Sequence, residues 1–249
     1  MIKIFKRRFP IQTYDIDFMG KLKLEAMLNF LQESAAEHAL KSGLSFNDLL
    51  KKNLAWILSR YHIKIDNYPG LGDSIDISTW ASKRSGIFTL REYEAFCNNK
   101  KVSAATTSWM AVDLDSKKPV RIEENLPDFP MHSRRVIHDD FNPLSDLKKP
   151  DFELKFPVLK GDLDLNRHVN NVVYIKWAIE TVPQEVIFNL KPYRIEINYK
   201  NEVFYGDWIK SHTQKIKETR NDEYIHRLIR ESDGKEVARL KSTWSKSEP

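Results

Sequence analysis

The sequence contains two copies of one pattern, and this duplication limits the possible folds more than any other feature. Residues 15–34 align without a gap on residues 162–181, and both stretches open on an Asp-x-Asp pair that leads into an apolar, helix-like run. Three shorter stretches repeat in the same order along the chain: 61–65 on 193–197, 72–73 on 206–207, and 107–109 on 242–244. Four matches in one order are difficult to explain by chance, so we expect two similar folded units.

A proline-rich stretch separates the two copies. Residues 116–150 hold five of the eleven prolines, and proline removes a backbone donor and fixes φ, which disfavours regular helices and strands. We therefore predict a surface connector at 116–150, with one domain at 1–115 and a second at 151–249. Each of these domains has a length that is common for a single small domain.

The first copy has the pattern of a long helix followed by strands. Its apolar spacing predicts a helix from Leu24 to about Gly43. A capping box at Ser45 and Asp48 predicts a second, shorter helix that runs towards Leu54. Alternation of polar and apolar residues then predicts strands at 74–78, 89–96 and 102–114.

The second copy repeats this order. It has a predicted strand at 156–159 and a predicted helix at 169–181 that Pro183 stops, followed by strands at 193–200, 203–213, 223–230 and 236–245. An antiparallel sheet with one apolar face buries that face against a helix, which makes each copy an α+β unit. A sheet wrapped round a central helix is the hotdog arrangement. The chain is thus predicted to be a tandem (double) hotdog, with two antiparallel sheets each wrapped round a long helix.

The composition excludes several classes of protein. A formal net charge of +5, spread among acidic residues, is too small for a nucleic-acid binder. No apolar run of about 18 residues could span a bilayer, and the start of the chain lacks the apolar stretch of a signal peptide. Cys97 is the single cysteine, so neither an internal disulfide nor a multi-cysteine zinc site can form. We expect a cytoplasmic protein that needs neither a metal nor another cofactor.

One segment of the second copy, residues 161–171, is dense in residue types that carry out acid–base chemistry. Asp164, Asn166 and His168 follow one another at spacings of two and lead into the predicted helix. The N–H groups at a helix start suit an oxyanion that develops on a carbonyl. A carboxylate beside them can position or deprotonate water. This set of groups suits hydrolysis of an activated acyl group without a metal or a covalent intermediate.

The first copy provides an internal control for this segment. The three polar positions align on it as follows: Asp164 on Asp17, Asn166 on Met19, and His168 on Lys21. The shared aspartate is therefore expected to have a structural role, whereas the asparagine and the histidine are expected to serve function in one copy alone. Glu196 behaves like the latter two, because Lys64 stands at its aligned position.

Other catalytic motifs are absent from the sequence. It has no GxSxG elbow, no GxGxxG or GxxxxGK[ST] loop and no HExxH pair. The motifs of serine hydrolases, nucleotide-binding folds and zinc proteases are therefore missing, which disfavours these classes of protein. Cys97 is interpreted as a small residue of a core or strand.

The segment DLDLNRHVNNVVYIKWAIETVP at 162–183, together with YRIE at 193–196, closely resembles the acyl-acyl carrier protein (acyl-ACP) thioesterases of plant plastids and their bacterial relatives. The resemblance covers essentially the whole chain and implies hydrolysis of fatty acyl-ACP to free fatty acid and ACP. It places the catalytic groups at Asp164, Asn166, His168 and Glu196. The plant pattern has a cysteine after this glutamate, long proposed as a nucleophile, but Ile197 stands there in this chain. The departure favours a mechanism in which water attacks.

The resemblance also implies an acyl tunnel built mainly by the N-terminal copy. Residues of the first long helix that could line the tunnel are Met27, Leu28, Leu31 and Ala35. Affinity for an acidic carrier protein would need exposed basic residues, such as Lys6, Arg7, Arg8, Arg134 and Arg135. A homodimer is a further expectation, while nucleic acid and membrane are not expected as partners.

Two other functions remain open from the sequence. A hotdog thioesterase that acts on acyl-CoA would share the same motif, because both substrates carry the phosphopantetheine arm. A non-catalytic acyl-binding hotdog protein is the alternative from a different class. A hotdog dehydratase is a weaker candidate, because no motif for one is present. Neither the acyl chain length nor the identity of the general base follows from the sequence.

Overall fold

The chain divides into two units that repeat one order of elements, Met1–Asp140 (unit 1) and Phe141–Pro249 (unit 2). The computed structural model describes residues 3–217, 219 and 222–246. Among the described helices, none has the length and apolar character needed to cross a membrane.

Unit 1 consists of one sheet, one long helix and two short helices. In chain order its elements are β1 (Phe5–Pro10), α1 (Leu24–Lys41), α2 (Phe46–Leu50), β2 (Leu54–Ile65), β3 (Ser74–Ser85), β4 (Phe88–Cys97), β5 (Lys100–Asp113) and α3 (Ile122–Asn125). The strand order is β1-β3-β4-β5-β2, and every one of these pairs is antiparallel. Helix α1 packs against β1 and β3.

Unit 2 repeats this plan with a shorter main helix. Its elements are β6 (Phe152–Pro157), α4 (Asn171–Ile179), α5 (Gln184–Asn189), β7 (Lys191–Tyr199), β8 (Trp208–Lys215), β9 (Asp222–Arg230) and β10 (Glu236–Ser245). The strand order is β6-β8-β9-β10-β7, again antiparallel throughout. Helix α4 packs against β8, β9 and β10. The two strand orders correspond one to one, which confirms the predicted α+β, double-hotdog fold.

The predicted elements differ from the observed ones at several ends, and strand β2 was not predicted, while β3 continues to Ser85 beyond its predicted end at residue 78. Leu54 opens β2 instead of extending α2, because Asn53 adopts a left-handed conformation at φ 58° and ends the helical stretch. Strand β8 begins at Trp208, five residues later than expected, since Gly206 at φ 86° belongs to a preceding turn. Helix α4 spans Asn171–Ile179, shorter than the predicted 169–181, and its C-cap is Glu180, three residues before Pro183. Pro183 is the N-cap of α5, a helix that the sequence reasoning missed.

The predicted connector at 116–150 contains one short helix, α3, and otherwise lacks helices and strands. Its residues up to Asp140 belong to unit 1, where the Arg135 guanidinium pairs with the fully buried carboxylate of Glu92 at 2.7 Å. The Trp80 indole N–H donates to the Arg134 carbonyl at 2.8 Å. These contacts attach the first part of the connector to the sheet of unit 1. The domain limits of 1–115 and 151–249 stay a prediction.

The core of unit 2 contains a fully buried histidine, His226 on β9. Its Nδ1 lies 2.8 Å from the Thr213 hydroxyl and its Nε2 lies 2.8 Å from the Ser242 hydroxyl. Hydroxyl groups can donate or accept, so both contacts suit a neutral ring. Burial disfavours the charged form and lowers the pKa of His226 to about 3.

This histidine predicts an acid-sensitive core. An unfolded histidine takes up a proton near pH 6.5, whereas folded His226 stays neutral down to about pH 3. Stability is therefore fully present above pH 6.5 and is expected to fall by about 1.4 kcal/mol per pH unit as the pH drops through this window. Urea unfolding at pH 7 and pH 5 measures the effect. A His226→Gln variant should lose less stability between the two pH values, and equal losses would contradict the assignment.

Candidate active site

In unit 2, residues 163–169 form a tight turn that Asp164 holds together. One carboxylate oxygen, Oδ1, accepts the backbone N–H of Asn166 at 2.8 Å and that of His168 at 3.3 Å. The backbone N–H of Asp164 donates to the carbonyl of His168 at 2.8 Å. The turn therefore brings three of the four predicted catalytic residues together within five positions of the chain.

Unit 1 contains the same turn with different side chains. The Oδ1 atom of Asp17 accepts the backbone N–H groups of Met19 at 2.9 Å and Lys21 at 3.1 Å. Its own backbone N–H donates to the carbonyl of Lys21 at 2.8 Å. Since Asp17 makes these bonds where neither asparagine nor histidine is present, turn formation alone explains an aspartate at this position. The contacts in both units agree with the structural role expected for the shared aspartate.

The imidazole of His168 is held by two neighbours that the sequence reasoning missed. Its Nδ1 lies 3.3 Å from Oε1 of Glu202, and the Phe204 ring meets it edge to face with centroids 5.0 Å apart. The backbones of His168 and Phe204 also pair as an isolated bridge. With Nδ1 facing a carboxylate, Nε2 is the ring atom left for a ligand. The sequence match of 72–73 on 206–207 lies just after Glu202 and Phe204, so extending it a few residues towards the N-terminus would have pointed to these two residues.

The carboxamide of Asn166 is exposed and makes no hydrogen bond to another described residue, although its backbone N–H is bound to Asp164. A carboxamide offers two N–H donors and one acceptor oxygen. The turn therefore fixes the backbone of Asn166 while its side-chain amide stays available to a substrate or a water.

The N-terminal end of α4 offers fewer free amides than expected. Between Val169 and Val173, four backbone N–H groups already have acceptors: Val169 binds the Val203 carbonyl, Asn170 the Asp162 carbonyl, Val172 the Asn170 side chain, and Val173 the Asn170 carbonyl. Among the described residues, only the Asn171 N–H in this stretch lacks a partner. Of the backbone N–H groups at this helix start that were expected to bind the oxyanion, the Asn171 N–H alone therefore stays available among the described residues.

Glu196 lies on β7, a different element from the turn. Its Oε1 accepts from the guanidinium of Arg194 at 2.8 Å, and its side chain is 20% exposed. The strand register places it opposite Lys241 of β10. Within the described part of the chain, no hydrogen bond or ion pair joins Glu196 to Asp164, Asn166 or His168. Arg194, also missed from the sequence, orients this carboxylate.

The four predicted acyl-lining residues lie on the buried side of α1. Met27, Leu28, Leu31 and Ala35 are at most 8% exposed. The aligned helix of unit 2 has Tyr174 in place of Met27, and this tyrosine is buried beside Trp177, with ring centroids 5.6 Å apart. At the other three aligned positions unit 2 has buried aliphatic or small residues as well, namely Ile175, Ala178 and Val182, so the two helix faces differ in character at Met27 and Tyr174.

Cys97 ends β4 and is buried. Burial, together with the nearby carboxylate of Asp73, raises the pKa of its thiol. A nucleophilic cysteine needs the opposite shift, because the thiolate is the reactive form. The environment of Cys97 is thus that of a structural residue.

Most of the basic residues expected to attract an acidic partner already form ion pairs in unit 1. The pairs are Arg7 with Glu33 and Glu37, Arg8 with Asp76, Arg134 with Glu94, and Arg135 with Glu92. Of the five residues, Lys6 has no ion pair among the described residues. The paired charges largely cancel, so these residues do not form a strongly basic surface.

Comparisons with known proteins agree with this geometry. The sequence model of the Acyl-ACP thioesterase N-terminal domain matches residues 2–129, and that of the Acyl-ACP thioesterase C-terminal domain matches residues 145–246. The oleoyl-acyl carrier protein thioesterase 1, chloroplastic, of Arabidopsis thaliana is 26% identical to this chain over an alignment 275 residues long. The alignment covers 97% of this chain and 76% of that protein.

Two solved structures share the fold at low sequence identity. An acyl-ACP thioesterase from Bacteroides thetaiotaomicron superposes with a TM-score of 0.86 at 24% identity, covering 98% of each chain. The 12:0-ACP thioesterase from Umbellularia californica superposes with a TM-score of 0.84 at 21% identity, covering 99% of each chain. The two domain matches together span most of the sequence, and this chain therefore belongs to the acyl-ACP thioesterase family.

Proposed function

We propose that the chain hydrolyses the thioester of fatty acyl-ACP with water as the nucleophile, using Glu196, Asn166 and His168 in unit 2 and Asp164 to position the last two. The observation that carries the proposal is the shared turn: both units build it around an aspartate, and only unit 2 places an asparagine and a histidine on it. Family membership supplies the reaction, fatty acyl-ACP plus water giving free fatty acid and ACP.

The chemistry assigns each group a step. Glu196, oriented by Arg194, takes a proton from water as the water oxygen attacks the thioester carbonyl carbon. The carbonyl oxygen becomes an oxyanion, which the Asn166 carboxamide and the Asn171 N–H can bind. When the carbon–sulfur bond breaks, the carrier's sulfur leaves and takes up a proton, for which His168 is the donor. Glu202 holds the histidine ring for this transfer.

Asp164 is assigned a positioning role and not a proton-transfer role. Its Oδ1 is engaged by two backbone N–H groups, as Asp17 is in the unit that lacks the asparagine and the histidine. We therefore assign general-base catalysis to Glu196 and positioning of Asn166 and His168 to Asp164.

The acyl chain is proposed to bind in the interior of unit 1, against Met27, Leu28, Leu31 and Ala35. The buried, aliphatic lining of this helix face supports the assignment, as does the flexible Met27 at the position where unit 2 has the bulky Tyr174. The domain assignment of an acyl pocket at 1–115 and catalytic groups at 151–249 belongs to the same proposal. So do the cytoplasmic location, the place in fatty acid biosynthesis and the homodimer expected from the sequence.

Filling the proposed pocket should change the product profile. In an Ala35→Phe variant the added ring projects from the buried face of α1, and overpacking of this kind is expected to lower kcat/KM for the longest accepted acyl chain by about tenfold while shorter chains are affected less. The measurement is the chain-length profile of released fatty acids over a series of acyl-ACPs.

The matched control for this experiment is Ala36→Phe, because Ala36 is the next residue of α1 and is exposed. It should leave the profile unchanged. If the two variants give the same profile, the buried face of α1 does not line the acyl site.

The choice between carriers is tested by comparing kcat/KM for one acyl chain on ACP and on CoA. The proposal predicts a higher value for acyl-ACP. A preference for acyl-CoA would make the chain an acyl-CoA thioesterase, and binding of both substrates without release of fatty acid would make it an acyl-binding protein.

A further inference from the structure

At the tip of the turn of residues 163–169, called here the catalytic turn, the backbone matches that of unit 1 but the residue type differs. Arg167 has a left-handed conformation at φ 61°, and the aligned residue in unit 1 is Gly20 at φ 71°. In both turns this residue donates its N–H to the carbonyl of the turn aspartate at 3.0 Å. Glycine adopts a left-handed backbone without steric cost, whereas a residue with a Cβ atom does not. The turn therefore accommodates an arginine where glycine would fit with less strain.

The side chain of Arg167 is exposed and has no acidic partner. It makes no hydrogen bond or ion pair with another described residue. The other described arginines of unit 2 all pair with carboxylates: Arg194 with Glu196, Arg227 with Asp146, Arg230 with Asp233, and Arg239 with Glu236. Lys160, at the start of the segment that leads to the turn, is also exposed and lacks an ion pair among the described residues. Two uncompensated cations thus lie close to the catalytic turn.

Large apolar side chains are exposed beside these cations. Leu165 at the turn is 87% exposed, Leu159 is 58% exposed and Tyr205 is 68% exposed. The backbone holds the three segments together, because His168 pairs with Phe204 and the Val158 N–H donates to the Asp207 carbonyl at 2.9 Å. Exposed apolar groups rimmed by charges are typical of protein interaction sites.

We propose that unit 2 binds the acyl carrier protein at one surface, called here the carrier surface, with Arg167 as the main contact to the acidic side chains of the carrier. The carrier surface consists of Leu159, Lys160, Leu165, Arg167 and Tyr205. This inference rests on the proposed function, since it assumes an acyl-ACP substrate. Charge complementarity supports the assignment: the basic residues expected to attract an acidic partner in unit 1 are largely paired, whereas Arg167 and Lys160 are not.

The test is an Arg167→Gly variant, which restores the residue that unit 1 uses at this position and removes the charge without disturbing the turn. Steady-state rates are measured on acyl-ACP and on acyl-CoA with the same acyl chain, over a range of salt concentrations. The loss of one charge contact at an interface rim should raise KM for acyl-ACP by about fivefold and weaken its salt dependence. The loss on acyl-CoA, which has no protein surface, should be clearly smaller.

Two further variants complete the experiment. Arg167→Lys retains the charge and should recover most of the affinity for acyl-ACP, and Lys149→Ala removes an exposed cation of unit 2 outside the carrier surface and should leave KM unchanged. An equal loss on acyl-ACP and acyl-CoA would mean that Arg167 contacts the arm common to both, which overturns the proposal, as would an unchanged KM for acyl-ACP. Wild-type turnover of acyl-ACP reports on the proposed function separately, because it is measured before any variant is compared.

Discussion

Replacing Glu196 by glutamine is expected to lower kcat on acyl-ACP by about 10²- to 10⁴-fold, the range for loss of a general base. Glutamine keeps the shape and polarity of the side chain, but its amide cannot accept the proton of the attacking water. KM should change little, because the carboxylate is assigned to the chemical step and not to carrier binding. Steady-state kinetics with a saturating series of acyl-ACP concentrations separates kcat from KM.

The matched control is Glu223→Gln on β9. Glu223 is a strand carboxylate of the same unit, with a side chain 15% exposed and an ion pair to Lys241 at 2.8 Å, close to the 20% exposure and 2.8 Å pair of Glu196. It should keep kcat near the wild-type value. An Asp164→Asn variant, whose amide oxygen can still accept the two turn N–H groups, tests the other carboxylate. Should Asp164→Asn lose the larger share of kcat, Asp164 and not Glu196 is the base.

Truncating Asn166 to alanine is expected to lower kcat by about 10²- to 10³-fold, the cost of one oxyanion donor. The turn should persist, because Asp164 binds the backbone N–H of residue 166 and not its side chain. Only the carboxamide that is proposed to bind the oxyanion is removed. Release of fatty acid from acyl-ACP under saturating conditions measures the effect, with the thermal unfolding midpoint recorded beside it.

Unit 1 provides the control for this variant as well. Met19 occupies the same turn position and its backbone N–H binds Asp17 in the same way, so Met19→Ala makes a comparable truncation at a turn to which no catalysis is assigned. Its kcat should stay within about twofold, since substitutions of exposed residues usually have small effects. A loss as large as that of Asn166→Ala would show that the turns matter for structure and not for chemistry.

The architecture could be predicted from the sequence because it depends on repeated local patterns. The capping box at Ser45 and Asp48 and the apolar face of α1 both form as expected. The start of β8 was placed too early, because Val203, Phe204 and Tyr205 are residue types that favour strands although Gly206 turns the chain there. Periodicity reports which residues are buried, but a single left-handed residue decides where an element begins.

The candidate site was predicted in its residue types but not in its contacts. Comparison of the two copies separated Asp164 from Asn166 and His168 before any geometry was available. Arg194 stands two residues before Glu196 in the sequence, on the same face of a strand, and its pairing was overlooked. The partner Glu202 was missed because it comes from a loop that only the folded unit brings next to His168. The ion pairs that neutralise Arg7 and its neighbours were missed for the same reason: partners that are 26 or more residues apart in sequence cannot be matched from composition.

The helix start shows the limit of reasoning from a general rule. A helix N-terminus usually offers several unbonded N–H groups, and the sequence reasoning counted on them for the oxyanion. In α4, the side chain and carbonyl of Asn170 take two of these groups, and the carbonyls of Asp162 and Val203 take the two that precede them. In the proposed mechanism, stabilisation of the oxyanion therefore falls mainly on the Asn166 carboxamide, which is why its removal is expected to lower kcat strongly.

The central claim is that this chain releases fatty acid from acyl-ACP through the polar groups of unit 2, and the most direct measurement is fatty acid release by purified protein. Wild-type protein is compared with a double variant, Asn166→Ala with Glu196→Gln, over a panel of acyl-ACPs, so that any thioesterase carried over from the expression host appears in both samples. We predict that the wild type releases free fatty acid and that the double variant, folded by circular dichroism, does not. Equal release by both proteins, or none by the wild type, would contradict the account.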